Sequence, residues 1–259
     1  MATFLFDSII FGPVTSRRLG VSLGINLLPT DAKICSFDCL YCECGWTPIH
    51  QRPKAVMPSR GEVQYKLEFK LTKMVQAGQL PDVITFAGNG EPTLHPDFAG
   101  IIDDTVVLRN ALAPNARIAV LSNATRLHKS DVFAALLKVD DNIQKLDSGI
   151  ESTIQLLDRP IGKLNLPELV EQLASFNGKV TIQTMFLRGR FQNHTIDNTS
   201  PEELEAWLKL LTKIGPSQVM IYTLARDTAF ADLSKVSKEE LNAIAAKVRS
   251  LGYSVQVSA

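Results

Sequence analysis

Short β-rich runs alternate with longer amphipathic stretches along this sequence, and few architectures accept that order. The strand candidates are residues 21–27, 83–87, 118–122, 143–147, 180–186 and 219–224, with 254–257 a short seventh. Several are near-continuous apolar runs, as strands buried on both faces require. Helix candidates fill the gaps at 61–76, 98–112, 129–137, 166–176, 201–214 and 237–251. In the first, Val63, Leu67, Leu71, Met74 and Val75 form a helical stripe. Pro167 near a first turn and Gly178 beyond the end mark the fourth. Ser200 is the expected N-cap of the fifth, ahead of Pro201, Glu202 and Glu203, and Gly215-Pro216 stops it. Ser237 and Glu240 form a capping-box pattern for the sixth, which ends at Gly252.

About six strand–helix units imply a parallel sheet with right-handed crossovers, either a partly closed barrel or an open doubly wound sheet. Both put an active site at the C-terminal ends of the strands. The chemically distinctive residues lie there. A cysteine loop follows the first strand and Gly88-Asn89-Gly90-Glu91-Pro92 the second. Asn123 ends the third, Asp147 ends the fourth, Arg188 lies past the fifth and Arg226-Asp227 past the sixth.

All four cysteines fall between Cys35 and Cys44, and the loop reads Cys35-Ser36-Phe37-Asp38-Cys39-Leu40-Tyr41-Cys42. Such a cluster staples nothing distant, so a disulfide framework is not the natural reading. A structural zinc site takes two separated pairs and would need Cys44 as its fourth ligand within a cramped loop. A redox pair at Cys39 and Cys42 leaves Cys35 without a role. Three thiolates are one short of the usual set for an iron–sulfur cluster, which leaves one iron open to a ligand. Cys44 is then a free cysteine lining the loop.

Charge is balanced, 27 Lys and Arg against 27 Asp and Glu, so no global basic excess attracts nucleic acid or anionic lipid. Arg17-Arg18 is the obvious doublet for a local basic patch. No apolar run reaches the ~18 residues of a membrane span. Residues 1–7 lack signal-peptide character, so the cytoplasm is the expected location.

The C-x₃-C-x₂-C spacing with Tyr41 before its last cysteine resembles the signature of the radical S-adenosylmethionine enzymes. Gly88-Asn89-Gly90-Glu91-Pro92 is similar to their Gly-Gly-Glu-Pro motif, with Asn89 inserted or Gly88 displaced. The resemblance spans roughly residues 10 to 230 and implies one domain over residues 1–259, a partial (β/α)₆ parallel barrel with a C-terminal helix and short strand at 237–257. It further implies a [4Fe–4S] cluster on Cys35, Cys39 and Cys42. S-adenosylmethionine would chelate the open iron and be cleaved to a 5′-deoxyadenosyl radical that abstracts hydrogen, as oxidoreductase or transferase chemistry. A low-potential flavodoxin or ferredoxin would supply the electron.

By the same resemblance Tyr41 lies beside the cofactor, and Gly90 and Glu91 hold its ammonium group. Ser122 and Asn123 contact the methionine carboxylate or the ribose. Lys145 contacts the carboxylate and Asp147 the ribose or substrate, unless the two form an internal ion pair. Gln183 with Met185, and Tyr222 with Leu224, line the adenine or substrate, or simply pack the core. Arg188 and Arg226 are the substrate-contact candidates, with surface salt bridges as the alternative.

Phe11-Gly12-Pro13-Val14, Ser16-Arg17-Arg18-Leu19-Gly20, Leu23-Gly24-Ile25-Asn26 and Asp158-Arg159-Pro160 together resemble a compact prokaryotic group related to the tRNA wyosine-base synthases. No cysteine precedes Cys35, so a second cluster cannot form there, and none follows Cys44 to hold an auxiliary one. The expected substrate is RNA or protein, with no membrane. The competing reading is a non-catalytic iron–sulfur or zinc-binding sensor, which has no need of the Gly90-Glu91-Pro92 turn.

Overall fold

The computed structural model describes residues 4–16, 19–48, 56–226 and 228–259. The Arg17-Arg18 doublet and Asp227 lie outside the described residues. Eight strands form one curled half-barrel sheet. They are β1 (Ile10–Ser16), β2 (Gly20–Ile25), β3 (Val83–Phe86), β4 (Arg117–Ser122), β5 (Asp141–Lys145), β6 (Thr181–Met185), β9 (Gln218–Tyr222) and β11 (Ser254–Ser258), in that spatial order. From β2 onward every neighbouring pair is parallel.

Helices α1 (Arg60–Gln76), α2 (Phe98–Leu112), α3 (Ser130–Leu136), α5 (Leu166–Ala174), α6 (Pro201–Ile214) and α7 (Lys238–Ser250) join these strands. Leu67, Leu71, Ile101, Leu173, Trp207 and Leu211 belong to one apolar core with the strand residues Ile84, Phe86, Ile118, Val120, Ile182 and Val219. Each such buried side chain stabilises the fold by about 1.5–3 kcal/mol relative to exposure. The alternate strand residues belong elsewhere. Val83, Ala119, Ile143 and Met220 close on Leu19 as a small separate cluster, because strand side chains alternate between faces. The Ser200 cap, the Ser237–Glu240 capping box and the left-handed Gly215 stop all form as the sequence predicts.

Four strands and one helix escape the sequence reading. β1 pairs antiparallel with β2 and forms an edge, and an irregularity between Phe11 and Val14 breaks its period-2 pattern. β7 (Leu187–Phe191), β8 (His194–Asp197) and β10 (Leu233–Lys235) form a second, antiparallel sheet. Gln192 and Asn193, both at positive φ, make a two-residue hairpin turn between β7 and β8. α4 (Glu151–Leu157) has only seven residues, too few to show a clear period. No helix among the described residues is long and apolar enough to cross a membrane.

Candidate active site at the strand ends

The loop after β2 is built on Asn26. Its side chain bonds Leu28 at both ends and accepts the Asn89 amide at 3.0 Å. Asn89, fully buried, binds the Phe6 backbone through both side-chain atoms and donates to Pro29 O at 2.8 Å. Asn89, the departure from a double glycine, thus ties the N-terminal segment to the loop. The next bonds bring the two motifs together. Ile34 N donates to Asn89 O at 2.9 Å and Glu91 N to Ile34 O at 3.0 Å, a parallel bridge between Ile34 and Gly90. Gly90 is required here: its φ is +133°, and a Cβ would stand 1.8 Å from Ile34 O.

Glu91 is buried, and burial pushes its carboxyl pKa upward. Its Oε1 accepts from Thr93 and its Oε2 from the Asn123 backbone N–H at 2.6 Å. Asn123 Nδ2 reaches Cys35 Sγ at 3.5 Å and Ser36 Oγ at 2.9 Å. Ser122 Oγ accepts from Ala124 N. The ends of β3 and β4 therefore both contact the cysteine loop.

Cys39 feels the charge of Cys35 and Cys42, and Cys35 that of Cys42. Burial is the main cause that pushes Cys35 up to about 12, and it drives Cys39 well above its ordinary value. Cys42 falls to about 6, first through a hydrogen bond with Cys44 and then through the Lys33 charge. Cys44 moves upward by the same bond, and its thiol also donates to Gly88 O at 3.5 Å. Lys33 is a buried cation bonded to Asp38 Oδ1 (3.1 Å) and Gly45 O (2.9 Å). Burial pulls its pKa down, but Cys42, Cys35, Cys39 and Asp38 outweigh that and leave it raised.

Among the described residues no three His, Cys, Asp or Glu side chains are grouped to hold a single metal ion. A four-iron cluster asks for something else, one thiolate to each of three irons. Buried thiols that resist ionisation become good ligands once a cation compensates them. The donor set therefore fits such a group.

Below the loop, Lys145 Nζ bonds Tyr41 Oη, Asp147 Oδ2 and Asp158 Oδ1, and Tyr41 also bonds Asp147. Burial lowers the Lys145 pKa, yet the two carboxylates outweigh it and hold it well above the usual value. One ammonium cannot neutralise two carboxylates. Asp158 is accordingly pushed up to about 7, chiefly by burial, with Asp147 adding to it. Lys145 and Asp147 do share a face, and an internal ion pair is the arrangement they adopt.

The other candidates separate. Gln183 and Met220 line a cavity inside the half-barrel, with Arg226 at the same cavity. Met185 joins an apolar cluster with Leu40 and Leu157, packed also by Tyr222 and Leu224. Arg226 is mostly exposed and pairs with Glu43 at 2.7 Å. Arg188 does not sit on a loop at the mouth. It lies on β7, where Asp197 (3.2 Å) and Glu240 (2.7 Å) engage its guanidinium, so the surface salt bridge is what forms. Arg188 holds the Glu240 carboxyl down to about 2, helped by Ser237. A depressed acid contributes stability above its unfolded value of 4.5 and loses it as pH falls towards 2. Arg188→Ala is therefore expected to raise the Glu240 midpoint towards 4.5, read by carboxyl NMR titration.

Sequence reasoning assigns no role to Lys33, Asn26 or Asp158. A lysine two residues before the first cysteine was the available signal for Lys33. Asp158 appears in the sequence only within a short motif, and its partner Lys145 lies on another element.

No protein-family model matches the chain. A Brachyspira hyodysenteriae protein named GTPase Obg is 31% identical over 236 residues, 90% of this chain but 32% of that one. A Helicobacter pylori UPF0026 protein is 30% identical, with 90% and 71% covered. A Synechocystis UPF0026 protein is 31% identical over 82% of this chain and 74% of its own length. The chain thus spans from about a third to about three quarters of these relatives. Among solved structures, a radical SAM methyltransferase from Sphaerobacter thermophilus superposes with a TM-score of 0.67 at 17% identity, covering 92% of this chain and 65% of that one. Archaeal TYW1 gives 0.55 at 14% identity, covering 88% and 71%. At these identities the likeness is one of fold. The relation expected to the wyosine-base synthases is therefore a distant structural similarity.

Proposed function

The chain belongs to the UPF0026 family, and we propose that it is a radical S-adenosylmethionine enzyme with one [4Fe–4S] cluster on Cys35, Cys39 and Cys42. The observation that carries this reading is the Ile34–Gly90 bridge, which joins the three-cysteine loop to a glycine-rich turn more than fifty residues away. A sensor that only holds a cluster has no use for such a turn beside it. When bound, the cluster would pass one electron to S-adenosylmethionine, and the resulting 5′-deoxyadenosyl radical would take a hydrogen from the substrate.

The chain's own residues bind and orient. The Gly90 carbonyl and the buried charge of Glu91 receive an ammonium group. Glu91 does so with both carboxylate oxygens already positioned by Thr93 and Asn123. The Asn123 amide steadies Cys35 by its contact with the sulfur. The Ser122 hydroxyl faces the methionine carboxylate or ribose. Lys145, Asp147 and Tyr41 hold the underside of the loop and set its local charge. A low-potential flavodoxin or ferredoxin is the proposed electron donor, and RNA or protein the proposed source of substrate.

Anaerobic reconstitution followed by S-adenosylmethionine and dithionite is expected to yield 5′-deoxyadenosine, detected by chromatography. A protein with a full iron complement that releases none would be a sensor instead.

A further inference from the structure

Lys33 stands two residues before Cys35, and no step of the proposed reaction uses it. It is 2% exposed, and its ammonium ties the cysteine loop across its width. Nζ donates to Asp38 Oδ1 at 3.1 Å, between Cys35 and Cys39, and to Gly45 O at 2.9 Å, beyond Cys42. Asp38 Oδ1 also accepts from Thr47 N at 2.8 Å, so the carboxylate is fixed from both sides. An ammonium has three donors. The third serves sulfur, because Cys42 feels both the Lys33 charge and a hydrogen bond with it.

A clamp on the loop does not by itself call for a charge. Burying an ammonium is costly unless the groups it faces repay the lost water. One carboxylate and one carbonyl repay part of that cost. The thiols are the other groups in reach: Cys42, Cys35 and Cys39 all favour the charged form of Lys33, and each does so more than Asp38. Lys145 is matched differently. It faces two carboxylates, Asp147 and Asp158, which together outweigh its single charge. Lys33 faces only one. Reduction would add one electron, and so one negative charge, to a cluster on these sulfurs. No bond forms or breaks, and no proton moves. A cation buried beside the sulfurs stabilises that added charge, and a hydrogen bond to a ligating sulfur acts in the same direction.

We infer that Lys33 is a positioning residue for the electron-accepting centre: its buried ammonium raises the reduction potential of the cluster on Cys35, Cys39 and Cys42, and Asp38 holds it there. The inference rests on the cluster reading above. The full chain is reconstituted anaerobically and titrated with dithionite through mediator dyes, without S-adenosylmethionine. The reduced cluster is counted by electron paramagnetic resonance. Lys33→Met, close in length and uncharged, is expected to lower the equilibrium constant for reduction at least tenfold, a fall of about 59 mV or more for one electron. Asp38→Asn keeps Oδ1 as acceptor for Lys33 and Thr47 but removes the opposing charge, so it is expected to raise the potential. A residue that only clamped the loop would alter iron uptake or Tm and leave both potentials at the wild-type value.

Equal potentials in the wild type and Lys33→Met, or a higher one in the variant, overturn the inference. If Lys33→Met assembles no cluster, the sign of the Asp38→Asn shift decides. An upward shift supports the role of Lys33, and an unchanged or lower potential overturns it. A wild type that takes up no iron overturns the cluster reading and this inference with it. A loaded wild type whose potential ignores Lys33 overturns the inference alone.

Discussion

Gly90→Ala is expected to destabilise the protein by about 3–5 kcal/mol and to prevent cluster assembly. Two costs combine. A non-glycine residue at a φ of +133° is strained, and the new Cβ would lie 1.8 Å from a backbone oxygen that cannot rotate away. The turn must shift, and the two hydrogen bonds of the Ile34 bridge are lost with it. In a chain of this size that corresponds to a fall in Tm of roughly 10 °C. Calorimetry and iron content after reconstitution measure both effects. Gly61→Ala is the control, because Gly61 lies in the first turn of α1 with nothing within 4 Å of its would-be Cβ. If the Gly90 variant melts with the wild type and takes up full iron, the loop and turn are not one unit.

Cys39→Ala is expected to lose the cluster and all 5′-deoxyadenosine formation while leaving the fold nearly unchanged. The loop around Cys39 is held by other groups. Leu40 N donates to Leu157 O at 3.0 Å, Asp38 N to Asp158 O at 2.9 Å, and Lys33 joins Asp38 to Gly45. Removing one sulfur leaves those bonds in place, so Tm should fall by only a few degrees while iron falls to background. Cys44→Ala is the informative partner. Cys44 touches Cys42 and Gly88 O, but neither contact is needed by a three-thiolate site. That variant should keep both iron and cleavage. Loss of cleavage in it would mean that Cys44 belongs to the working site.

Much of the barrel was legible because its signals are local. A parallel strand buried on both faces is an apolar run, and Ser, Pro and Gly at the ends of α6 mark its start and stop within a few residues. The second sheet was not legible, because strands of three to five residues carry too little periodicity. That gap hid the partners of Arg188, which does lie just past a barrel strand but on β7, where Asp197 and Glu240 engage it. The pairing of Lys145 with Asp158 was hidden for another reason. The sequence reads Lys145 as a ligand contact or the partner of Asp147 and gives Asp158 no role, and only the approach of α4's end to β5 makes Lys145 and Asp158 neighbours.

By itself the sequence determined the alternation that forces a parallel sheet, and the three-cysteine spacing that gathers thiols in one loop. Both follow from chain-local geometry, the period of side chains and the reach of a short loop. Tertiary structure alone decided what stands around those thiols. The Ile34–Gly90 bridge, the Asn89 staple to Phe6 and the Asn123 contact with Cys35 each depend on elements distant in the chain. Such contacts form only when burial of the strand faces brings those elements together, and no local pattern encodes them.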